Sequence, residues 1–262
     1  MKLFLSCLCL LVVVTLNAQV PLPNAHAHND YEHERPLFDA LDHGFISVEA
    51  DVWLIDGELY VYHNRPINPD PERTLTKLYL RPLKERVEAK GGKVYPGYDD
   101  FFYLMIDIKS HATATYEELI SVLVGYREMM SWVNEGVPEG DKPIKVFLSG
   151  NRPMEVLYEK HAVFGLDGRP GDLGKGHPAH LMPVVSESFR KFSSWSGIGG
   201  MSEADRDKIR QHVRKAHAEG KKVRFWAAPD TPLGWRQLLD LGVDLISTDQ
   251  LEGFSSFAKS RQ

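Results

Sequence analysis

Short apolar runs alternate with longer amphipathic segments along most of this 262-residue chain. Runs rich in β-branched and aromatic residues favour strands, whereas apolar positions three and four apart favour helices. Strands are predicted near Ala25 and at residues 45–52, 59–62, 102–108, 144–148, 163–166, 181–185, 223–227 and 245–247. Helices are predicted at residues 36–42, 75–89, 115–132, 153–159, 202–219 and 232–240.

This alternation predicts the α/β fold class, because neighbouring parallel strands need a crossover connection that is usually a helix. The number of strand and helix units approaches that of a (β/α)8 TIM barrel, and the prediction allows irregular strands. No low-complexity linker or internal repeat divides the chain. A single domain is therefore predicted over residues 19–262.

The first residues form an apolar stretch, Leu3 to Leu16, that follows one positive charge at Lys2. The stretch is shorter than the ~20 residues that span a bilayer. It ends with a small residue, Ala18, as a signal-peptidase site would. Residues 1–18 are therefore predicted to be a signal peptide cleaved near Ala18, and the mature protein is expected to be secreted or periplasmic.

Charge and cysteine content narrow the possible functions. The formal net charge is −5, and loss of Lys2, the only charged residue among residues 1–18, makes it −6. A mildly acidic chain lacks the basic face that nucleic-acid or anionic-lipid binding requires, so neither partner is predicted, nor is a stable membrane span. Both cysteines, Cys7 and Cys9, lie in the predicted signal peptide. The mature chain therefore has no thiol for a disulfide or a zinc site.

Polar residues follow the ends of several predicted strands. Catalytic groups of (β/α)8 barrels lie at the C-terminal ends of the strands. We therefore expect one barrel mouth to collect His28 and Asn29 from the first strand, Glu49 and Asp51 from the second, His63 after the hairpin, and Asp107 and Lys109 from the next strand.

Alternation along the second strand makes this expectation sharper. Glu49 and Asp51 are two residues apart, so their side chains point to the same side of the sheet. Two carboxylates that face an interior are costly unless a cation or a proton compensates them. With Asp107 and Asn29 they form an oxygen-only set, which suits Mg²⁺ or Ca²⁺ better than zinc. One divalent cation is therefore predicted, with Lys109 as an additional positive charge for a phosphate.

Each of these motifs taken alone also has a structural explanation. A Glu-x-Asp pair is common at a polar strand edge, a His-Asn pair is common in turns, and Asp107 with Lys109 could be a simple ion pair. Their joint appearance at strand ends favours a metal site in which His28 and His63 transfer protons.

The chain resembles the metal-dependent phosphodiesterases that include phosphoinositide-specific phospholipase C and glycerophosphodiester phosphodiesterase. The resemblance rests on His28-Asn29-x-Tyr31, Glu49-x-Asp51, Tyr62-His63 and Asp107. It is greatest to the branch of the altered inheritance of mitochondria proteins. The motifs typical of that branch are His-x-His-Asn-Asp-Tyr at residues 26–31, Val-Glu-Ala-Asp-Val-Trp at 48–53 and Arg-Phe-Trp-Ala at 224–227.

The resemblance implies that His28 and His63 are the general acid/base pair and that Asn29, Glu49, Asp51 and Asp107 hold the metal. It also implies a small-molecule or lipid phosphodiester as substrate, with glycerophosphodiesters or phospholipid head groups as the first expectation. Cleavage of phosphoinositides or sphingolipids to a cyclic phosphate, as by a phospholipase C or a sphingomyelinase, is the alternative. The sequence does not decide between the two.

The chain also departs from the glycerophosphodiesterase pattern. The usual His-Arg-Gly opening is absent, so an arginine that would hold the phosphate is missing from the first strand. Arg152 is the predicted replacement. The acidic ligand on the third strand is commonly glutamate, whereas here it is Asp107.

Further substrate contacts are predicted from later strand ends. Arg224 and Trp226 share a strand face, and Glu187 lies near the end of another strand. His26 shares a face with His28, so either could be the first catalytic histidine. His28 is preferred because the metal ligand Asn29 follows it, and His26 is then predicted to contact the substrate or to be buried.

Two other classes of function remain open at this stage. A non-catalytic barrel could use the acidic mouth to bind calcium or a phosphorylated ligand, although such a protein needs no histidine pair. A glycosidase fits poorly, because its two carboxylates flank the scissile bond from different elements. The sequence does not predict the oligomeric state.

Overall fold

The computed structural model describes residues 19–158 and 162–261, so the predicted signal peptide lies outside the described residues. The strands in this part of the chain are β1 Leu22–Ala27, β2 Phe45–Ile55, β3 Glu58–Val61, β4 Phe102–Ile108, β5 Met130–Asn134, β6 Val137–Glu139, β7 Ile144–Gly150, β8 Gly165–Leu166, β9 Val184–Ser188, β10 Lys222–Trp226 and β11 Leu245–Thr248. The helices are α1 Phe38–Asp42, α2 Arg81–Ala89, α3 Ala112–Leu123, α4 Glu155–Tyr158, α5 Glu203–His217, α6 Pro232–Asp240 and α7 Leu251–Lys259.

One large, mostly parallel sheet organises the fold. Its parallel strands follow the order β5, β7, β4, β2, β1, β11, β10 and β9, and the short β8 pairs with β7. Beyond β8, the Gly168 N–H donates to Val184 O at 2.8 Å and the Ser186 N–H donates to Gly168 O at 3.0 Å. These bonds connect the segment after β8 to β9 through a single bridge. The predicted α/β class is confirmed, and β8 is its irregular part.

The hydrophobic pattern of β2 shows how the strands are covered. Val48, Ala50 and Val52 are fully buried, and α1 and α3 pack against this strand. Glu49 and Asp51 alternate with these residues and therefore point to the opposite side. The same alternation that builds the core thus carries two carboxylates to the other face of the sheet.

The predicted helix at residues 115–132 is wrong in its second half. The helix ends at Leu123, and a 3-10 turn leads into β5, which pairs with β7 and forms a hairpin with β6. Tertiary packing overrides the local preference here, because Trp132 is buried with its ring centroid 4.9 Å from that of Phe164.

The strand predicted at residues 181–185 begins instead at Val184, since Pro183 has no N–H to donate to a sheet. Helix α7 was not predicted at all. Its Phe254 is buried and packs against Phe45 and Trp235.

No helix within residues 19–158 and 162–261 combines the length and the apolar character needed to cross a bilayer.

A buried carboxylate connects the turn after β1 to the start of α1. Asp30 is fully buried, and its Oδ2 accepts hydrogen bonds from the Leu37 N–H at 2.6 Å and from the Tyr79 hydroxyl at 2.8 Å. Its Oδ1 has no hydrogen-bond partner among the described residues. Burial raises the pKa of Asp30 from 3.8 to about 7, although the two hydrogen bonds oppose the rise.

Asp30→Asn is expected to flatten the dependence of stability on pH. Because the pKa is raised in the folded state, the stability contributed by Asp30 is present below about pH 4 and is lost as the pH rises through about 7. One pKa unit corresponds to about 1.4 kcal/mol, so the variant should gain on the order of 3 to 4 kcal/mol relative to wild type between these limits. Urea unfolding of both proteins at about pH 4 and about pH 8 measures this difference. An equal pH dependence in the two proteins would contradict the prediction.

Candidate active site

An open cleft of about 200 Å³ lies where the parallel strands end. It brings together most of the predicted site residues. The lining residues are His28, Asn29, Glu49, His63, Asp107, Lys109, Ser149, Arg169, Arg224 and Trp226.

Strand register places three carboxylates side by side. Asp51 on β2 is paired with Asp107 on β4, and Asp107 in turn is paired with Ser149 on β7. Glu49 lies on the same side of β2 as Asp51. One oxygen from each of Glu49, Asp51 and Asp107 lies within 4.8 Å of the others. Glu49 and Asp107 line the cleft, whereas Asp51 is fully buried and is not among the lining residues.

The two oxygens of Asp51 have different surroundings. Its Oδ2 accepts hydrogen bonds from the Tyr31 hydroxyl at 2.7 Å and lies 3.0 Å from Lys109 Nζ and 3.1 Å from His63 Nδ1. Its Oδ1 is buried and has no hydrogen-bond partner among the described residues. A buried carboxylate oxygen without a donor is costly, so a cation is the expected partner of Oδ1.

The charges of the cluster are incompletely compensated. Burial raises the pKa of Asp107 to about 6 even though Lys109 Nζ lies 3.1 Å from its Oδ1. Burial and the nearby charge of Glu49 also raise the pKa of Asp51. A divalent cation would remove this repulsion. The residues present therefore fit such an ion, because carboxylate oxygens and an amide oxygen from Asn29 are the ligands that Mg²⁺ and Ca²⁺ prefer.

Glu49 stays ionised because of its neighbours. Burial alone would raise its pKa, but His26 and Arg224 outweigh burial and lower it to about 2. Arg224 Nη1 lies 3.4 Å from Glu49 Oε2, and His26 Nε2 lies 3.5 Å from the same oxygen. Glu49 is therefore a fixed negative charge at the edge of the cluster.

Each histidine of the cleft presents the same ring nitrogen to a carboxylate. His28 Nδ1 lies 2.8 Å from Asp249 Oδ1, and His63 Nδ1 lies 3.1 Å from Asp51 Oδ2. Such contacts orient an imidazole and fix its tautomer, which leaves Nε2 for proton transfer. Burial alone would lower the pKa of His28, but the hydrogen bond to Asp249 and the charge of Glu49 raise it above its usual value.

The sequence from residue 15 to residue 164 matches the family model described as an AIM6-like phosphodiesterase domain. The chain belongs to this family. It is 32% identical to the altered inheritance of mitochondria protein 6 of Lachancea thermotolerans over 86% of this chain and 63% of that relative. The protein of the same name from Eremothecium gossypii is 30% identical over 87% of this chain and 68% of its own length. This confirms the resemblance drawn from the motifs.

Solved structures show the same fold as this AIM6-like phosphodiesterase domain. A glycerophosphodiester phosphodiesterase from Parabacteroides distasonis aligns with a TM-score of 0.56 and 16% identity, covering 92% of this chain and 99% of that one. A glycerophosphodiester phosphodiesterase from Agrobacterium tumefaciens aligns with a TM-score of 0.53 and 14% identity, covering 90% and 99%. At such identities the likeness concerns the fold alone.

Three predicted substrate contacts lie outside the cleft. His26 is fully buried, and its Nδ1 and Nε2 contact Ser47 Oγ at 2.7 Å and Arg224 Nη1 at 3.2 Å. Burial lowers the pKa of His26 to about 4, so this ring is a neutral support for Glu49 and Arg224. Arg152 donates to the backbone oxygen of Asp167, and Glu187 accepts from Lys191 Nζ at 2.8 Å. None of the three is among the residues that line the cleft.

Two residues that line the cleft, Ser149 and Arg169, were not among the predicted site residues, and Arg169 is the charged one. The only local signal was a charged residue in the Asp167-Gly168-Arg169 segment that follows the weakest predicted strand. Tyr31 was noticed only as part of a family motif. The structure shows that Tyr31 is fully buried and contacts Asn29 Oδ1 at 2.9 Å, while Asp249 contacts His28.

Gly150→Ala is expected to destabilise the protein and to displace Asp107 in the acidic cluster. Gly150 has a positive φ of 67°, and an added Cβ would overlap Asp107 Oδ1 and the backbone oxygen of Ile108. We expect about 1 to 3 kcal/mol of destabilisation from the backbone strain, together with weaker metal binding because Asp107 has to move. The measurements are urea unfolding and calorimetric titration with Mg²⁺ or Ca²⁺.

Gly136→Ala is the matched control for this prediction. Gly136 also has a positive φ, 81°, but an added Cβ would meet nothing within 4 Å. The control should therefore lose stability and keep its metal affinity. Equal metal affinity in the two variants would contradict the proposed role of Asp107.

Proposed function

We propose that this AIM6-like phosphodiesterase domain hydrolyses phosphodiesters with the help of one divalent cation, Mg²⁺ or Ca²⁺. Asn29, Glu49, Asp51 and Asp107 are the proposed ligands of the ion, and His28 and His63 are the proposed proton-transfer residues. One observation carries this proposal. Two histidines, each oriented by a carboxylate, lie beside three clustered carboxylates whose negative charges are incompletely compensated.

The environments of the two histidines suggest different roles. Asp249 is not one of the proposed metal ligands. Its negative charge is therefore not shared with the ion, and it favours the protonated form of His28. His63 Nδ1 instead contacts Asp51, a proposed ligand of the ion, so His63 lies beside the place where the attacking oxygen would bind. His63 is therefore the proposed base that accepts a proton from the attacking oxygen, and His28 the proposed acid that protonates the leaving oxygen. A bound cation would polarise the phosphoryl group and offset its developing charge.

Glycerophosphodiesters, or the head groups of phospholipids, are the proposed substrates. The fold shared with two glycerophosphodiester phosphodiesterases supports this choice. A hydroxyl of the substrate could attack instead of water, as in phospholipase C or sphingomyelinase chemistry, and would use the same two histidines. Phosphorus NMR of the products distinguishes the two reactions, because only internal attack releases a cyclic phosphate.

The first experiment is metal removal from the protein expressed without residues 1–18. Hydrolysis of bis(p-nitrophenyl) phosphate should stop with EDTA and return when Mg²⁺ or Ca²⁺ is restored. Turnover that persists in excess EDTA would contradict the metal proposal. Calorimetric metal binding without any turnover would favour the alternative of a non-catalytic binding barrel.

We also propose that the protein is exported, because residues 1–18 have the composition of a signal peptide. Mass spectrometry of protein recovered outside the cytoplasm should give a mature N-terminus near Gln19. Recovery of the full-length chain from the cytoplasm alone would contradict export.

A further inference from the structure

Arg169 lies in the connection from β8 to β9, and its position is fixed by its neighbours. Its N–H donates to Asp172 Oδ2 at 2.9 Å. The preceding Gly168 packs closely on β9, since a Cβ there would lie 2.6 Å from Met182 Sδ and 3.1 Å from Val185 Cγ2. The backbone therefore presents Arg169 to the cleft with little freedom.

The short hydrogen bonds of the Arg169 side chain are made by one nitrogen, Nη1. Its Nη1 donates to Asp167 Oδ2 at 2.7 Å and to Gly168 O at 2.9 Å. Asp167 is fully buried and also accepts from Ser149 Oγ at 2.8 Å and Ser186 Oγ at 2.6 Å. This network orients the guanidinium, while Nη2 makes only a long contact of 3.4 Å with Ser149 Oγ.

Trp226 positions the guanidinium from another direction. The Arg169 guanidinium carbon lies 5.1 Å from the centroid of the Trp226 ring, which is a cation–π distance. Both residues line the cleft. A guanidinium that is fixed by a carboxylate and an aromatic ring, with donors to spare, is preorganised for an anion.

Arg169 contacts the strand next to the one that carries Asp107. Ser149 is the register neighbour of Asp107, so the two residues are about one strand spacing, ~4.8 Å, apart. Arg169 Nη2 lies 3.4 Å from Ser149 Oγ, and both residues line the cleft. One phosphoryl group can therefore face the carboxylate cluster with one oxygen and Arg169 with another.

We propose that Arg169 binds a non-bridging phosphoryl oxygen of the substrate and takes the place of the arginine that is missing from the first strand. This inference rests on the proposed phosphodiesterase function and names a residue that contacts the substrate. Arg152, the replacement expected from sequence, instead contacts the backbone of Asp167 and lies 3.8 Å from Asp172 Oδ2.

The test compares Asp167→Asn with the double variant Asp167→Asn/Arg169→Ala. The asparagine background avoids leaving a buried carboxylate without its arginine partner. Calorimetry measures binding of diphenyl phosphate to the Mg²⁺-loaded proteins, a readout that does not require turnover. The double variant should bind at least about 10-fold more weakly than Asp167→Asn. Arg236→Ala, which removes an exposed arginine of α6, should bind like wild type.

Chemical rescue of turnover provides a second measurement. Its result would not change if Arg169 had only a structural role. Loss of one preorganised donor should lower kcat/KM for bis(p-nitrophenyl) phosphate by about 100-fold in the double variant, and added guanidinium ion should restore part of it. Guanidinium should not stimulate Asp167→Asn. If the double variant is poorly folded in thermal melts, Arg169→Lys with Asp167 intact replaces it in the calorimetric measurement and should bind diphenyl phosphate more weakly than wild type, because lysine has no second nitrogen to donate.

The outcomes separate this inference from the proposed function. Equal affinity of Asp167→Asn and the double variant for diphenyl phosphate, or equal loss in Arg152→Ala, would overturn the role of Arg169. A wild-type protein that binds the diester through Arg169 but hydrolyses no diester would support the inference and contradict the proposed function. A wild-type protein that binds no diester would overturn the inference directly.

Discussion

His63→Ala is expected to lower kcat for bis(p-nitrophenyl) phosphate by about 10²- to 10⁴-fold, the range for loss of a general acid or base. His63 lines the cleft, and its Nδ1 is held by Asp51 Oδ2, so the alanine variant removes the proton acceptor. The proposed metal-binding oxygen, Asp51 Oδ1, is untouched. Affinity for Mg²⁺ or Ca²⁺, measured by calorimetry, should therefore stay close to that of the wild type.

His28→Ala should give a similar loss of turnover for the complementary reason. It removes the proton donor that Asp249 orients, at 2.8 Å from Nδ1. His43→Ala, a histidine outside the cleft, is the matched control and should retain full activity. Retention of wild-type kcat in both His28→Ala and His63→Ala would eliminate the acid/base assignment and leave metal-assisted attack or simple ligand binding.

Asp51→Asn is expected to produce the largest loss of metal affinity. The change keeps the shape of the side chain but removes one of the three clustered negative charges. It also leaves Lys109 with one carboxylate partner instead of two, so the positive charge of Lys109 repels the cation more strongly. We expect the dissociation constant for Mg²⁺ or Ca²⁺ to rise by at least about 100-fold, which corresponds to about 3 kcal/mol.

The control for Asp51→Asn is Asp100→Asn. Asp100 precedes β4 and therefore lies at the opposite end of that strand from Asp107, where it is 3.7 Å from Lys222 Nζ. This variant changes the net charge by the same amount without touching the cluster. If both variants weaken metal binding equally, the effect is a long-range one of net charge, and the proposed ligand set is incorrect.

Tyr31 explains how these groups act as one unit. Its hydroxyl lies within 2.7 to 3.3 Å of Asp51 Oδ2, Asn29 Oδ1 and His63 Nδ1. A hydroxyl has a single proton, so Tyr31 can donate to only one of these acceptors at a time. Its oxygen can accept a hydrogen bond from a neighbouring donor. The same residue thus aligns a proposed metal ligand with a proposed base, and effects of mutations at these positions should not be additive.

Much of the fold and the central chemistry could be predicted because they depend on local order along the chain. The two-residue period of β2 fixes Glu49 and Asp51 on one side of the sheet, whichever strands surround it. The hydrophobic pattern also located β4 and α6 with the bounds that the structure shows. A parallel sheet then requires that the ends of successive strands meet on one face.

The elements that were mispredicted depend on packing rather than on local preference. Residues 130–132 were predicted to end a helix, yet they begin β5 because β7 and Phe164 offer a place to bury Trp132. Strand propensity is decided largely by such neighbours. The sequence did not say which neighbours these residues would have.

The sequence by itself determined the fold class, the strand that carries Glu49 and Asp51, and the two candidate histidines of the cleft. Only the tertiary structure decided what each of them contacts. His28 reaches Asp249, 221 positions away, because β11 returns to lie beside β1. Arg169 rather than Arg152 lines the cleft because the turn after β8 packs on β9. Spacing fixes residues within one strand, whereas contacts between distant segments arise only when the whole sheet assembles.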